Sequence, residues 1–214
     1  ETKKYAMLLA DEFLRVIHVS THVSLREACD RVKKSRIIEV TELIHDACKQ
    51  FGIDNPRIGI AGLNPHSSDN GLFGWEEEKE IIPAVNELCA RGFNVVGPVP
   101  PDTLFAKAKC GQFDGCVAMY HDQGLAPFKA LSMDDGVNYT AGLEFVRTSP
   151  DHGVAYDIAG KGVADAQSMR NAIYTAIDIV RNREQWANWT ANPLQRFERD
   201  KGRDVSVKDV KLPE

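Results

Sequence analysis

The chain is expected to fold as an α/β protein, a mostly parallel sheet flanked by helices on both faces. Short β-branched or apolar runs alternate with longer stretches of helical periodicity, the pattern of strands joined by helical crossovers. Several apolar runs stop in loops carrying Gly, Pro or Asn, the punctuation expected at strand exits. Length agrees, because 214 residues suit one substantial core within the usual domain range of about 50 to 250.

In chain order, residues 5–10 form an apolar strand candidate, and 14–20 a second that alternates and is β-branched. Helical periodicity follows over 24–32 and 35–51, the latter with Ile37, Ile38, Val40, Leu43, Ile44 and Cys48 on one stripe, ended by Gly52. Residues 57–61 read as strand. The next helix covers 76–91, with Pro83 as a kink or restart and Gly92 as its stop. A short strand at 94–96 and a helix over 101–110 ending at Gly111 come next. Residues 113–119 form a buried strand closed by a polar loop, and 164–183 a long amphipathic helix. Residues 1–191 are therefore expected as one domain and 192–214 as a polar C-terminal tail.

Composition excludes several functions. A net charge of −5 lacks the concentrated basic surface of a nucleic-acid binder. No run approaches the roughly 18 apolar residues needed to cross a bilayer, and no charged leader with an apolar core precedes residue 5, so a soluble, cytoplasmic protein is expected. The five cysteines are scattered without CxxC spacing, which fits reduced packing residues better than disulfides or a thiolate metal site.

The segment Met119-Tyr120-His121-Asp122-Gln123-Gly124-Leu125-Ala126-Pro127-Phe128-Lys129 is the strongest chemical signal. In open α/β sheets ligands bind beyond the carboxyl ends of strands, where His121 and Lys129 would face a cleft. His22 and His66 also follow strand candidates. Three imidazoles with an open coordination position make a competent site for zinc or another borderline divalent ion. Each histidine alone could equally cap a helix or bond within a loop.

These residues resemble the 4-hydroxythreonine-4-phosphate dehydrogenase family of pyridoxal phosphate (vitamin B6) biosynthesis, within the isocitrate and isopropylmalate dehydrogenase-like fold. The matching pieces are Thr21-His22-Val23-Ser24-Leu25-Arg26, Gly62-Leu63-Asn64-Pro65-His66, Gly71-Leu72-Phe73-Gly74 with Glu76-Glu77, the His121 segment, Gly136-Val137-Asn138 and Val146-Arg147-Thr148-Ser149-Pro150-Asp151-His152-Gly153. Enzymes acting on threonate or erythronate 4-phosphate share most of them.

The resemblance implies a divalent metal on His22, His66 and His121, zinc first, with magnesium, manganese and cobalt as alternatives. It implies substrate contacts from Lys129, Asn138 and Arg147, with Lys129 and Asp122 as catalytic candidates, Asp122 orienting a metal histidine. His152, Gly153 and Asp157 fall in a loop resembling the one that cradles the adenosine part of NAD or NADP, although no GxGxxG turn is present. The reaction implied is NAD-linked oxidation and decarboxylation of 4-phosphohydroxy-L-threonine to 3-amino-2-oxopropyl phosphate. Family members also have an N-terminal portion forming half the interdomain cleft, which this chain is expected to lack. A homodimer sharing its metal site between chains is expected, with His22 as the donor in trans. Two other classes fit parts of the pattern: a zinc hydrolase, for which no HExxH helix is present, and a catalytically silent dimerisation module.

Overall fold

The structure, a computed structural model, describes residues 4–132 and 135–194. Seven strands, β1 (Ala6–Ala10), β2 (Arg15–His18), β3 (Ile58–Ala61), β4 (Val95–Val99), β5 (Gly115–Ala118), β6 (Val137–Ala141) and β7 (Thr148–Pro150), form one sheet in the order β4-β3-β5-β2-β1-β6-β7. β4, β3, β5 and β2 pair in parallel, while β1 is antiparallel to both β2 and β6, and β7 is antiparallel to β6. Five strands thus run one way and β1 and β7 the other. The proposed tail falls almost wholly outside the described residues.

Among the described residues there are six α-helices: α1 (Leu25–Asp30), α2 (Lys34–Gln50), α3 (Ile82–Ala90), α4 (Pro101–Lys109), α5 (His121–Leu131) and α6 (Gln167–Thr190). Two apolar layers sandwich the sheet. Ile37, Val40 and Ile44 of α2 and Leu88 of α3 pack with Leu8, Ile17 and Val117 on one face. Leu104 and Phe105 of α4 and Phe128 of α5 pack with Leu9, Val16 and Cys116 on the other. The two-residue strand period explains why neighbours such as Val16 and Ile17 enter different layers. Every residue of β3 and β5 is buried, as parallel strands covered on both faces require.

Five elements differ from expectation. The presumed loop after β5 is helix α5, hidden in the sequence because it carries Gly124 and Pro127, both poor helix formers. Packing holds it: α5 lies over β2 and β5, where the absence of a side chain at Gly124 allows close approach. Upstream of Pro83 the expected single helix widens into a π turn, Glu77–Ile81, where the proline N–H that would bond back is missing. β6 and β7 were not anticipated, although β6 alternates buried with half-buried residues. β4 extends through Pro98, which its edge position tolerates.

A methyl group added at Gly124 would lie 2.4 Å from His18 Nε2, 2.8 Å from Val16 Cγ1 and 2.9 Å from Ala118 Cβ. Overpacking costs about 1–3 kcal/mol, against a helix-propensity gain of roughly 1 kcal/mol. Gly124→Ala should therefore lower the urea midpoint, with a net loss of stability of up to about 2 kcal/mol. An unchanged or raised midpoint would mean that α5 can lift from β2 without penalty.

Candidate functional site

The adjacent parallel strands β3, β5 and β2 end along one edge of the sheet, and their exits carry His66, His121 and His22 respectively. A buried amide joins two of these exits. Gln123 Oε1 accepts from the Met119 N–H at 2.7 Å, and Gln123 Nε2 donates to the Gly62 carbonyl at 2.8 Å. Beyond Gly62 the chain is anchored by Glu77, a carboxylate only 1% exposed. Its Oε1 accepts from the backbone N–H groups of Leu63 and Asn64 at 2.8 and 2.7 Å, and its Oε2 from Asn64 Nδ2 at 2.8 Å. These bonds satisfy a buried carboxylate that has no cationic partner among the described residues.

The anchored loop then runs through five consecutive left-handed residues, His66 to Asn70, with φ between 45° and 72°. Such conformations cost non-glycine residues roughly 1–2 kcal/mol each, so the surroundings must hold them. Ser68 Oγ donates to the Gly74 carbonyl, and Ser67 Oγ to that of Pro98 at 3.3 Å. His66 itself rests beside Phe73, ring centroids 6.4 Å apart.

His22 and His121 come together, with ring centroids 5.9 Å apart. Asp122 Oδ1 lies 2.7 Å from His121 Nδ1, which orients that ring and leaves Nε2 for another partner. His66 does not join them: among the described residues no three His, Cys, Asp or Glu side chains converge as a metal-ligand set. His22 stands beside His121 within one chain because β2 and β5 are parallel neighbours, and the outlying histidine is His66.

His22 is shared by two cavities. One, of about 530 Å³, is bordered by His22, Tyr120, His121 and Asp122. The other, about 820 Å³, is bordered by His18, Ser20, Asn138 and the cationic Arg31, Arg36 and Arg147. Asn138 and Arg147 thus meet at one cavity, Arg147 donating to Thr140 Oγ1 at 2.8 Å. Lys129 does not border it. Its Nζ lies 3.4 Å from Asp151 Oδ1 and donates to the Asp151 carbonyl at 3.2 Å.

His18 escaped sequence reasoning because it sits inside an apolar strand. Strand alternation puts it on the face of Val16, under α5, and its ring is 6.3 Å from that of His121. Burial lowers its pKa to about 4, reinforced by the neighbouring His121 and His22. The Met7 backbone opposes that shift, yet neither ring nitrogen has a partner in hydrogen-bonding geometry.

The cofactor candidates lie elsewhere. His152 and Gly153 border a cavity of about 450 Å³ with Ala155, Ile158 and Ser168. Asp157 falls in the short 3-10 turn Tyr156–Ile158 and is exposed without bordering that cavity. Gly160 and Gly162, both at positive φ, complete the loop.

An α/β sheet that gathers histidines and cavities along its strand ends has the layout in which open sheets bind ligands. The chain belongs to the family described as pyridoxal phosphate biosynthetic protein PdxA, whose model matches residues 1–176. It is similar to 4-hydroxythreonine-4-phosphate dehydrogenase of Bacteroides thetaiotaomicron, 50% identical over 194 residues that cover 90% of this chain and 53% of that protein. D-threonate 4-phosphate dehydrogenase of Pectobacterium atrosepticum is 49% identical over 179 residues, covering 84% and 55%. The crystal structure of 4-hydroxythreonine-4-phosphate dehydrogenase from Klebsiella pneumoniae aligns with a TM-score of 0.76 at 49% identity, over 83% of this chain and 54% of that one. The chain spans about half the length of the curated relatives it matches. No helix among the described residues is long and apolar enough to cross a membrane.

Two stability measurements probe the site. Glu77→Ala should cost at least about 2 kcal/mol, because two backbone N–H groups lose a charged acceptor. Glu77→Gln should cost less, since one oxygen remains; equal, near-zero losses would show that the loop needs no anchor. The second concerns acid. Between pH 6.5 and about 4, the unfolded chain takes up a proton that native His18 refuses. Stability is therefore complete above pH 6.5 and falls with pH through that window, by about 1.4 kcal/mol per unit. In chelator-treated protein His18→Leu should flatten this slope by one proton, and an unaltered slope would assign the acid sensitivity to other groups.

Proposed function

We propose that the protein containing this chain oxidises the C3 hydroxyl of a 4-phosphorylated 3-hydroxy acid with NAD and then releases carbon dioxide from the resulting β-keto acid. The observation that carries this reading is the His22–His121 pair beside a cation-lined cavity, in a chain of this family. 4-Phosphohydroxy-L-threonine and threonate or erythronate 4-phosphate all meet the description. The first yields 3-amino-2-oxopropyl phosphate and differs from the others in its C2 substituent. The relatives above, a 4-hydroxythreonine-4-phosphate and a D-threonate 4-phosphate dehydrogenase, support the first reading and the threonate one.

The donor chemistry suits a divalent ion, zinc foremost: two adjacent imidazoles, one backed by a carboxylate, with His66 on the neighbouring strand exit. His22 and His121 would hold it, with His66 as third ligand, supplied by a second copy of the chain. Such an ion, when bound, lowers the pKa of a nearby hydroxyl and stabilises negative charge on its oxygen. His152 and Gly153 would hold NAD, which would supply the hydride acceptor. The remaining work falls to this chain's side chains. Arg147 and Asn138 hold the anionic end of the substrate, the guanidinium through paired hydrogen bonds. Asp122 keeps the His121 ring oriented. Lys129 is tied to Asp151, so a substrate anion reaching it must compete with that carboxylate.

A second copy also has a surface to meet. Leu72, Phe73 and Trp75, in the loop that follows His66, are 70%, 50% and 55% exposed. The apolar stripe of α2, by contrast, is consumed by its own sheet. α6 leaves Ile173, Tyr174 and Ile177 exposed.

The test uses the full-length protein with NAD, each substrate and stoichiometric metal. NADH formation should require metal, and His22→Ala or His121→Ala should abolish stoichiometric metal binding. Asp122→Ala should weaken metal affinity about 10–100-fold. Mixing His66→Ala with His121→Ala chains should restore activity, since each heterodimer then keeps one intact site. Metal-dependent hydrolysis without NAD, or no metal binding at all, would overturn the reading.

A further inference from the structure

Five buried side-chain polar atoms lack a hydrogen-bond partner among the described residues, and four of them belong to residues on one cavity: His18 Nδ1 and Nε2, Ser20 Oγ and Asn138 Oδ1. A buried polar atom left unpaired is costly, and native folds pair nearly all such atoms. With four of them on residues that border one cavity, a group filling it is the nearest source of partners. His18 is the most constrained, at 1% exposure. Its ring is fixed between Ala118 on β5 and the backbone of Gly124, where a methyl group would collide with Nε2. It has no room to turn toward solvent.

The chemistry of this wall selects the ligand group. Arg31, Arg36 and Arg147 border the same cavity, with Asp30 the one carboxylate among its described lining. Arg31 and Arg36 are paired with Glu27 and Glu39, so Arg147, its guanidinium bonded only to the Thr140 hydroxyl among the described residues, is the one that meets an anionic group and opposes an ammonium. Burial keeps the His18 ring uncharged at neutral pH, and with Nε2 packed against Gly124 it is Nδ1 that is left to donate or accept. Ser20 Oγ both donates and accepts, and Asn138 Oδ1 accepts. The neutral group that satisfies such a set is a hydroxyl. The ring lies next to His121, where the oxidised carbon's oxygen is read above, so the hydroxyl in question sits on the adjoining carbon.

We propose that His18 is a specificity-determining residue that hydrogen-bonds the C2 hydroxyl of a 2,3-dihydroxy acid 4-phosphate, favouring that class over its 2-amino counterpart. This deepens the dehydrogenase reading and rests on it for the position of the reacting carbon. A site built to bond a hydroxyl discriminates strongly against an analogue without one, because its own polar atoms are then left unpaired. His18 thus acts by binding and takes no proton from the reacting oxygen.

The test is a cycle in the full-length protein. Wild type and His18→Leu are compared on D-threonate 4-phosphate, on its 2-deoxy analogue, which keeps the C3 hydroxyl, and on 4-phosphohydroxy-L-threonine. Wild-type kcat/KM should fall about 10–100-fold from the dihydroxy to the 2-deoxy substrate. His18→Leu should erase that difference by lowering only the dihydroxy value, with metal stoichiometry and NAD affinity unchanged. His18→Asn, which keeps a donor and an acceptor, should recover part of the discrimination. Equal losses on both substrates would reduce His18 to a packing residue, and loss of metal would make it a ligand; either overturns the proposal. Wild type that fails to discriminate overturns it whether or not the variants fold. If no substrate reduces NAD, calorimetric binding of the two hydroxy acid phosphates decides independently: tighter dihydroxy binding by wild type alone upholds His18 while the dehydrogenase reading falls.

Discussion

The side-chain amide of Gln123 is the tie on which the candidate site depends. It accepts from the Met119 N–H at the end of β5 and donates to the Gly62 carbonyl at the end of β3, from the third residue of α5. Both bonds are buried, so leaving either backbone group unpaired would cost about 1–3 kcal/mol. One amide thereby sets the start of α5, where His121 stands, relative to the loop that carries His66. Glu77 repeats the device one step further along, capping the N–H groups of Leu63 and Asn64. The two together let a left-handed, strained loop persist at the edge of an otherwise regular sheet.

Apolar packing supplies the stability that this polar edge consumes. The two layers around β3, β5 and β2 contain the fully buried Ile17, Ile37, Ile44, Ile60, Leu88 and Phe128. Burying side chains of that kind contributes about 1.5–3 kcal/mol each. Against this stand the unpaired nitrogens of His18, the lone Asn138 oxygen and the left-handed run of His66 to Asn70. Strain and unsatisfied polarity gather along the strand exits and the adjoining cavity, a distribution expected where a fold keeps costly groups for a ligand.

The exposed apolar side chains divide in the same way. The α2 stripe lies against its own sheet and needs no partner. Leu72, Phe73 and Trp75 occupy the His66 loop, so a second copy covering them would arrive beside the histidine that stands apart from the His22–His121 pair. Apolar surface and incomplete ligand set coincide on one loop, which links assembly to chemistry in the proposed reading.

Much of the fold was legible in the sequence. Periodicity located β1, β2, β3, β5 and the helices α1 to α4 to within a few residues, because apolar spacing reflects burial directly. Motif order indicated the family, and the position of His22, His66 and His121 after strands was correct. Helix α5 was not legible: Gly124 and Pro127 argue against a helix locally, and only packing on β2 and β5 overrides them. Nor could the sequence show that His18, within an apolar strand, turns toward the cavity, or that Lys129 is engaged by Asp151. The grouping of the histidines was likewise decided by tertiary structure. Local chemistry along the chain determines which residues can bind a metal or an anion, while the order β3-β5-β2 determines which of them meet, because strand adjacency joins residues about a hundred positions apart that no local pattern connects.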